Sequence, residues 1–226
     1  MKKKIVVITG AGISAESGIR TFRDSDGLWE EYRIEDVATP QAWQRNQRLV
    51  LDFYNQRRKQ VIEAHPNVAH LALVELEKKY DVVIVTQNVD DLHERSGSSN
   101  VLHLHGEIRK SRSTADARLI YDIAGWQLSE GDLCEKGSQL RPHIVWFGEL
   151  VPKLEEGARM VESADILIVV GTSLAVYPAA GLVDLANHAE QKYLIDPEAP
   201  AVSGDFNVIR SKAGSGVPDL VGRLLH

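Results

Sequence analysis

Residues 5–20 read Ile5-Val6-Val7-Ile8-Thr9-Gly10-Ala11-Gly12-Ile13-Ser14-Ala15-Glu16-Ser17-Gly18-Ile19-Arg20. Four consecutive apolar, β-branched residues indicate a fully buried strand. Gly10 and Gly12 follow at once and permit a tight turn with a close approach of the backbone. Ser14 stands where an N-cap would begin a helix. With Ala15 in the last small position, this Gly-x-Gly-x-x-Ala pattern predicts a cradle for the phosphates of a dinucleotide.

The alternative interpretation is a sharp strand–helix turn that binds no ligand. An ordinary dehydrogenase would continue into a long helix and a second strand that ends in an acidic residue about 20 residues later. Here Gly18 is predicted to stop the helix early, and residues 19–29 have no strand character. We therefore expect a loop over the cofactor, with Arg20 and Arg23 near the phosphates, and no geometry for hydride transfer.

The composition limits the classes of protein to consider. The chain has 226 residues, a formal net charge of −6 and a single cysteine, Cys134. This charge argues against nucleic-acid binding through a basic face, and one cysteine excludes an internal disulfide and favours a reducing compartment. The apolar run after Lys4 ends at Gly10, too early for an export signal or a membrane span. We expect a cytoplasmic, monomeric enzyme without a membrane or nucleic-acid partner.

Further buried strands are predicted at residues 81–86 and 165–173, the latter ending in Gly171-Thr172-Ser173, and further strands at 101–106 and 192–196, separated mostly by helical sequence. This alternation predicts an α/β fold with a doubly wound, parallel, Rossmann-like sheet. We expect a single domain over residues 1–226, with a core at about 1–30, 81–106 and 142–226. A helical insertion at about 31–80 and a small module at about 107–141 complete the predicted organisation.

Polar residues follow three of these strands, at the edge where an open α/β sheet binds its ligand. The amides of Gln87 and Asn88 could orient a polar ring, and the Asp90 carboxylate could meet a developing positive charge. Gly171-Thr172-Ser173 could contact ribose or phosphate, although such a sequence is equally common as a bare turn. Asp196 and Glu198 could hydrogen-bond ribose hydroxyls.

His103 and His105 alternate along a predicted strand and therefore share one face. The pair alone allows three interpretations: two buried, hydrogen-bonded histidines, a metal site with Asp90 or His93, and a general base. The spacing matches no strong metal-ligand signature. The general base gains support because His105 precedes Gly106 at the expected mouth of the ligand crevice.

Two further stretches allow both a structural and a functional interpretation. Tyr54 and Arg57 are three residues apart in helical sequence and so lie on one helical face. They are either a surface cation beside an amphipathic ring or a phenol–guanidinium pair that grips a carboxylate. The strand-like residues 141–149 are either core or an edge that pairs with an extended peptide.

Five motifs together resemble the sirtuins, a family of NAD-dependent protein lysine deacylases. The motifs are Gly10 through Phe22-Arg23, Gln87-Asn88-Val89-Asp90, His103-Leu104-His105-Gly106, Val145-Trp146-Phe147-Gly148-Glu149 and Gly171-Thr172-Ser173. They occur in family order over nearly the whole chain. In addition, Tyr54-Asn55-Gln56-Arg57 is similar to the Tyr-x-x-Arg pair of the branch that removes succinyl and malonyl groups.

The resemblance implies a role for each matching position. It makes His105 the general base, with Asn88 and Asp90 orienting nicotinamide and ribose. The residues it implies for NAD binding are Gly10, Ala11, Gly12, Ser14, Ala15, Glu16, Gly18, Phe22, Arg23, Trp29, Gln87, Asn88, Asp90, Gly171, Thr172, Ser173, Asp196, Glu198 and Ala213. Those it implies for the acyl-lysine substrate are Tyr54, Arg57, Val145, Trp146, Phe147, Gly148 and Glu149.

By the same resemblance, NAD is a co-substrate that the reaction consumes. Succinyl, malonyl or acetyl groups would leave protein lysines as O-acyl-ADP-ribose, with release of nicotinamide. Two alternatives would use the same site: mono-ADP-ribosyl transfer to a protein, and non-catalytic sensing of NAD or ADP-ribose.

The small module departs from the family pattern. Sirtuins usually bind a structural zinc through two Cys-x-x-Cys pairs, but residues 111–114 hold no cysteine, and Gly137 stands where a partner of Cys134 would fall. One thiolate cannot make a closed zinc site, so we expect no zinc and a simplified or disordered module. The apolar residues expected to stabilise it instead are Leu119, Ile120, Tyr121, Ile123, Trp126 and Leu140.

Overall fold

The structure is a computed structural model that describes residues 2–20, 28–29, 32–202 and 204–226. Phe22 and Arg23 lie outside these residues, and of Trp29 only the backbone is described. The roles expected for these three side chains in cofactor binding therefore stay predictions.

The described residues form eleven strands and seven α-helices, joined in places by short 3₁₀ turns. The strands are β1 (Lys4–Thr9), β2 (Leu28–Trp29), β3 (Tyr32–Arg33), β4 (Asp81–Thr86), β5 (Val101–His103), β6 (Gly106–Ser113), β7 (Ile120–Asp122), β8 (Leu140–Ile144), β9 (Ile166–Val170), β10 (Gln191–Ile195) and β11 (Phe206–Ile209). The helices are α1 (Ile34–Val37), α2 (Pro40–Arg45), α3 (Gln47–Glu63), α4 (Val68–Leu76), α5 (Leu92–Ser96), α6 (Leu154–Glu162) and α7 (Ala213–Leu225). None of these described helices is long and apolar enough to cross a membrane.

The main sheet has six described strands, all parallel, in the order β11-β10-β9-β1-β4-β5. This confirms the predicted doubly wound, Rossmann-like architecture. The first predicted strand is central, because β1 pairs with β4 on one side and with β9 on the other. The strand order reverses between β1 and β9, and ligands of such sheets bind at the carboxyl ends beside the reversal.

Both faces of the sheet are buried, which explains the continuous apolar runs of its strands. Ile5 and Val7 of β1 point into one core, which α4 and α7 complete. Val6 and Ile8 point into a second core on the other face, against residues of α6 and of the 3₁₀ turn at Ala179–Leu185. The helix α4 therefore lies on the main sheet beside α7.

A third core joins the helices α1–α3 to the small module. The module is an antiparallel sheet of β7, β6 and β8. Within the predicted helical insertion, Thr39 accepts a hydrogen bond from the N–H of Ala42 as the N-cap of α2, with Pro40 at its first position. The prediction was wrong at residues 28–29 and 32–33, which form β2 and β3 and pair antiparallel. These residues include Trp29 and Tyr32, and aromatic residues favour strands.

Candidate active site

The glycine-rich loop after β1 packs directly on the end of β9. The N–H of Gly10 donates to the Val170 carbonyl at 3.0 Å, and the N–H of Gly12 donates to the Gly171 carbonyl at 2.8 Å. A Cβ on Gly12 would lie 2.6 Å from the Cα of Gly171, which itself has a φ of +62°. The close backbone approach predicted at Gly12 is thus an approach to Gly171, and it brings the two loops together at the reversal of the sheet.

Ser14 does not cap a helix. The loop forms two 3₁₀ turns, at Ala11–Ile13 and Ala15–Ser17, and the second ends at Gly18 with a φ of +86°. The Ser14 side chain makes no capping bond. It accepts a hydrogen bond from Nδ2 of Asn88 at 3.1 Å and donates to Oδ2 of Asp90 at 3.2 Å. The buried amide and carboxylate of the neighbouring loop need polar partners, and Ser14 supplies one to both.

The loop after β4 collects the polar groups predicted for this edge. Asn88 is 7% exposed and Asp90 4%. The N–H of Asn88 donates to Thr86 Oγ1 at 3.0 Å, and the N–H of Leu92 donates to Asp90 Oδ1 at 3.2 Å. Burial raises the pKa of Asp90, and the hydrogen bonds from Leu92 and Ser14 only partly offset this rise. The carboxylate is therefore shielded from solvent and held in place by hydrogen bonds.

One ring nitrogen of His105 contacts the backbone of the loop after β4. Its Nδ1 lies 3.1 Å from the Gln87 carbonyl. A carbonyl oxygen only accepts hydrogen bonds, so we assign the proton to Nδ1 and the basic lone pair to Nε2. Burial lowers the pKa of His105, and the bond to Gln87 raises it by less. The neutral, basic form is thereby favoured near neutral pH.

His103 has a different environment, although it is only two residues away. Its Nδ1 lies 3.0 Å from the Asn88 carbonyl, and its Nε2 lies 2.7 Å from Oε1 of Glu94. Burial lowers its pKa, but the Glu94 carboxylate and the Asn88 carbonyl raise it by more. With both nitrogens engaged, His103 matches the interpretation of a buried, hydrogen-bonded histidine. Its two bonds hold the loop after β4 in place.

A further pair of histidines lies beneath this loop, in a contact that was not predicted from the sequence. His70 and His93 are fully buried, with ring centroids 4.9 Å apart. Nε2 of His93 lies 3.0 Å from Thr9 Oγ1, which donates to Thr86 Oγ1 at 2.8 Å. Burial lowers the pKa of His70 to about 4 and that of His93 well below its ordinary value. No local pattern marks this contact, because the two rings come from α4 and α5.

The predicted NAD-binding positions Gly171–Ser173, Asp196 and Glu198 follow the ends of β9 and β10. Nε2 of Gln87 donates to Thr172 Oγ1 at 3.4 Å, so the loops after β4 and β9 meet. Asp196 is 1% exposed, and its Oδ1 accepts a hydrogen bond from the N–H of Glu198 at 2.8 Å. Asp196 therefore supports this loop, while Glu198 is exposed.

Glu16, another predicted NAD-binding residue, contacts the start of α7. The exposed Glu16 carboxylate accepts a hydrogen bond from the N–H of Gly214 at 2.7 Å. Gly214 follows Ala213, the first residue of α7. This bond fixes the loop after β1 against the N-terminus of the helix.

The stretch at 141–149 is a strand only as far as Ile144, where β8 ends. The chain then turns, and Gly148 has a φ of +88°. The N–H of Val145 donates to the His105 carbonyl at 2.9 Å, and that of Phe147 donates to the Ala38 carbonyl at 3.0 Å. The extended edge predicted here is therefore short, because the turn uses these donors inside the protein.

Tyr54 and Arg57 do not form a surface pair. Tyr54 is fully buried and Arg57 is 4% exposed. The indole N–H of Trp146 donates to the Tyr54 hydroxyl at 3.1 Å. The Arg57 guanidinium carbon lies 5.9 Å from the centroid of the Phe53 ring. Both side chains therefore lie in the core formed by α3 and the turn after β8.

Neighbouring residues of α3, which were not predicted from the sequence, bind the small module. Arg58 is fully buried and donates to the carbonyls of Ile108 at 2.6 Å and Trp126 at 2.8 Å. It also donates to Oδ1 of Asn55 at 2.7 Å. Asn55 in turn donates to the Leu128 carbonyl at 2.9 Å and accepts from the Leu128 N–H at 2.9 Å. Burial lowers the pKa of Arg58 to about 10, so it stays protonated at neutral pH.

The residues of the small module do not fit a zinc ion. Sγ of Cys134 donates to Oγ of Ser113 at 3.2 Å. Asp116, three positions after Ser113, accepts hydrogen bonds from Arg118 at 2.9 Å and Lys136 at 2.8 Å. One thiol and one carboxylate neutralised by cations do not provide four ligands. Over the described parts of the chain, no group of three or more His, Cys, Asp and Glu side chains could hold a metal ion.

Apolar contacts stabilise the module less than predicted. Ile123 is 8% exposed and packs with Leu140 in the core shared with α3. Ile120 and Trp126 are each 43% exposed, so the prediction was wrong for these two. The module also has polar contacts, namely the hydrogen bonds around Ser113 and Asp116 and those of the buried Arg58.

The Sir2 family model matches residues 10–178 of the chain, which include the glycine-rich loop, His105 and the turn after β8. The chain belongs to the Sir2 family. Among the relatives of this Sir2 family member are proteins named NAD-dependent protein deacylase. That of Helicobacter pylori is 54% identical and covers 99% of this chain and 98% of its own. That of Bacteroides thetaiotaomicron is 50% identical, and the match covers 96% of this chain and 96% of the relative.

Solved structures of Sir2 homologues resemble this Sir2 family member over the whole fold. A mutant homologue in complex with ADP-ribose has a TM-score of 0.90 at 43% identity, covering 99% of this chain and 92% of its own. A homologue in complex with NAD has a TM-score of 0.89 at 42% identity. The match covers 99% of this chain and 90% of the homologue. The predicted family resemblance is thus confirmed by both sequence and structure.

Proposed function

We propose that this protein removes succinyl and malonyl groups, and more slowly acetyl groups, from lysine side chains of proteins. As a Sir2 family member with relatives named NAD-dependent protein deacylase, the protein is an NAD-consuming enzyme. The preference for acidic acyl groups rests on one observation. Tyr54 and Arg57 are buried together in the helix that contacts Trp146.

The local charge supports an acidic substrate group. Burial raises the pKa of Tyr54 well above its ordinary value, although the Trp146 hydrogen bond and the charges of Arg57 and Arg141 lower it. The phenol therefore keeps its proton at neutral pH and can donate a hydrogen bond. A buried guanidinium costs desolvation free energy, which an anionic group offsets better than a neutral one. A carboxylate also matches the planar fork of donors on Arg57.

The base and the proposed clamp are linked through adjacent residues. Val145 donates to the backbone of His105, and the next residue, Trp146, donates to Tyr54. NAD supplies the ADP-ribose group that accepts the acyl group as nicotinamide leaves. We assign Nε2 of His105 to removing a proton from a ribose hydroxyl. Val145 through Gly148 would line the acyl-lysine channel.

The site beside the glycine-rich loop fits the ribose and nicotinamide of NAD. The Asn88 amide and the Asp90 carboxylate are buried on either side of Ser14 at the reversal of the sheet. We propose that they orient these groups, with the loops at Gly10–Gly18 and Gly171–Ser173 holding the rest of NAD. We also propose that the small module works without zinc and that the protein acts as a monomer.

The test is a comparison of acetyl-, malonyl- and succinyl-lysine peptides of one sequence, each with NAD. We expect kcat/KM for the succinyl and malonyl peptides to exceed that for the acetyl peptide by at least tenfold, with release of nicotinamide. A preference for acetyl would overturn the assignment to acidic groups. Mass spectrometry of the peptide distinguishes the alternatives, because ADP-ribosyl transfer adds mass, whereas NAD binding without turnover indicates a sensor.

A further inference from the structure

The turn after β8 is closed by a carboxylate that binds two arginines. Glu149 accepts hydrogen bonds from Arg141 at 2.7 and 3.1 Å and from Arg112 at 3.1 Å. It also accepts one from the backbone N–H of Trp146 at 2.8 Å. Burial raises the pKa of Glu149, but the two arginines and this N–H lower it by more. Glu149 is therefore ionised, and its carboxylate is engaged inside the protein and not directed at a substrate.

Arg141 contacts the same turn in three ways. Besides Glu149, its guanidinium donates to the Ile144 carbonyl at 2.9 Å. Its central carbon lies 3.2 Å from the centroid of the Trp146 ring, a cation–π contact. Arg141 is 8% exposed and Trp146 is 2% exposed, with the Trp43 ring 5.7 Å away. The indole is therefore held by a planar cation whose own position is fixed by two hydrogen-bond acceptors.

The position of the indole determines one hydrogen bond in the proposed acyl clamp. Nε1–H of Trp146 donates to the Tyr54 hydroxyl oxygen. Since an indole N–H can only donate, the hydroxyl accepts from this side and directs its own proton elsewhere. If the indole tilted, the phenol proton could rotate toward the indole side. The carboxylate of a bound acyl group would then face a Tyr54 hydroxyl that is less well oriented to donate a hydrogen bond.

We propose that Arg141 is a positioning residue for acyl specificity, which acts on Tyr54 through the ring of Trp146. The inference rests on the proposed preference for acidic acyl groups. It adds that the preference depends on a side chain that need not touch the substrate. Lysine cannot replace Arg141, because one ammonium group cannot stack on the indole and also bind both Glu149 and Ile144.

The experiment measures the ratio of succinyl to acetyl kcat/KM in Arg141→Lys. We expect this ratio to fall roughly tenfold, mainly through a higher KM for the succinyl peptide, because the donor geometry and not the base is altered. A general loss from poorer folding cancels in the ratio, and thermal unfolding reports it separately. The matched control is Arg118→Lys, since the Arg118 side chain is 88% exposed and lies in the same module.

A double-mutant cycle tests the route through the indole. Trp146→Phe keeps an aromatic ring but removes the N–H, so we expect it to lower the same ratio. Adding Arg141→Lys to this variant should lower the ratio no further. A wild-type ratio in Arg141→Lys, an equal loss on both substrates, or fully additive effects would each overturn the inference while the proposed function stands. A wild-type enzyme that does not prefer succinyl would overturn the proposed function, and the inference with it.

Discussion

Nδ1 of His105 lies 3.1 Å from the carbonyl oxygen of Gln87, the residue that follows β4 by one position. This contact joins the proposed catalytic base to the loop that carries Asn88 and Asp90. It also leaves Nε2 as the atom that can take a proton. The loops after β4 and β5 thus hold the proposed base at a fixed position relative to Asn88 and Asp90.

We predict that the acidic limb of the pH profile for kcat/KM lies below pH 6.5, the ordinary pKa of histidine. Burial favours the neutral ring in the folded protein, so the base stays active as the pH falls to that value and is lost only lower. The measurement is kcat/KM from pH 5 to 8, in steps of about half a unit. His105→Ala should reduce turnover by about 100-fold or more and abolish this limb. A limb centred well above pH 6.5 would contradict the assignment.

Arg57→Met should lower kcat/KM for the succinyl peptide by roughly 10- to 100-fold, the typical value of a hydrogen bond to a charged group. The acetyl peptide has no carboxylate for Arg57 to bind, so its kcat/KM should change far less. The measurement is steady-state kinetics on both peptides. Arg48→Met is the matched control on the same helix, because the Arg48 side chain is 82% exposed. Equal losses on the two peptides would exclude the clamp.

Removal of metal should leave the protein unchanged if the small module needs no zinc. We expect purified protein to hold less than about 0.1 zinc per chain, and a chelator to leave its unfolding temperature and turnover unaltered, since a structural zinc contributes directly to folding. Elemental analysis and thermal unfolding check this. Cys134→Ser, which can keep a hydrogen bond to Ser113, should cost about 1 kcal/mol or less. Stoichiometric zinc would refute the prediction.

The buried histidines should make the protein less stable in mild acid. His70 has a folded-state pKa of about 4 against an ordinary value of 6.5. Between these values the unfolded chain binds the proton and the folded chain does not, so stability is full above pH 6.5 and falls toward pH 4. The shift corresponds to about 3 kcal/mol for His70. Urea unfolding at several pH values measures it.

His143 and His93 act in the same direction as His70, because burial also lowers their pKa values. His103 acts in the opposite direction, because its pKa is raised. The variant His70→Gln should therefore reduce the dependence of stability on pH without removing it. The control is His65→Gln, which replaces an exposed histidine just before α4. If both variants keep the wild-type dependence, His70 is not among its causes.

Local patterns in the sequence predicted five of the six strands of the main sheet, but not β11 at its edge. Runs of β-branched residues predicted β1, β4 and β9, because strands buried on both faces must be apolar at every position. Turn residues predicted the ends of these elements, including the turn that ends at Gly18 with a left-handed conformation. The family followed from motifs whose residues are adjacent in sequence.

The tertiary structure alone decided which side chains meet. Trp146 and Tyr54 are 92 positions apart, and Thr9 and His93 are 84 apart. No local period records such contacts, since they depend on how separate helices and loops pack. The same holds for Ser14, which local propensity makes a helix cap and which instead binds Asn88 and Asp90. The sequence thus determined five strands of the main sheet and the polar loops after them, because these are local patterns. Long-range packing determined the hydrogen bonds that orient the proposed catalytic and specificity groups.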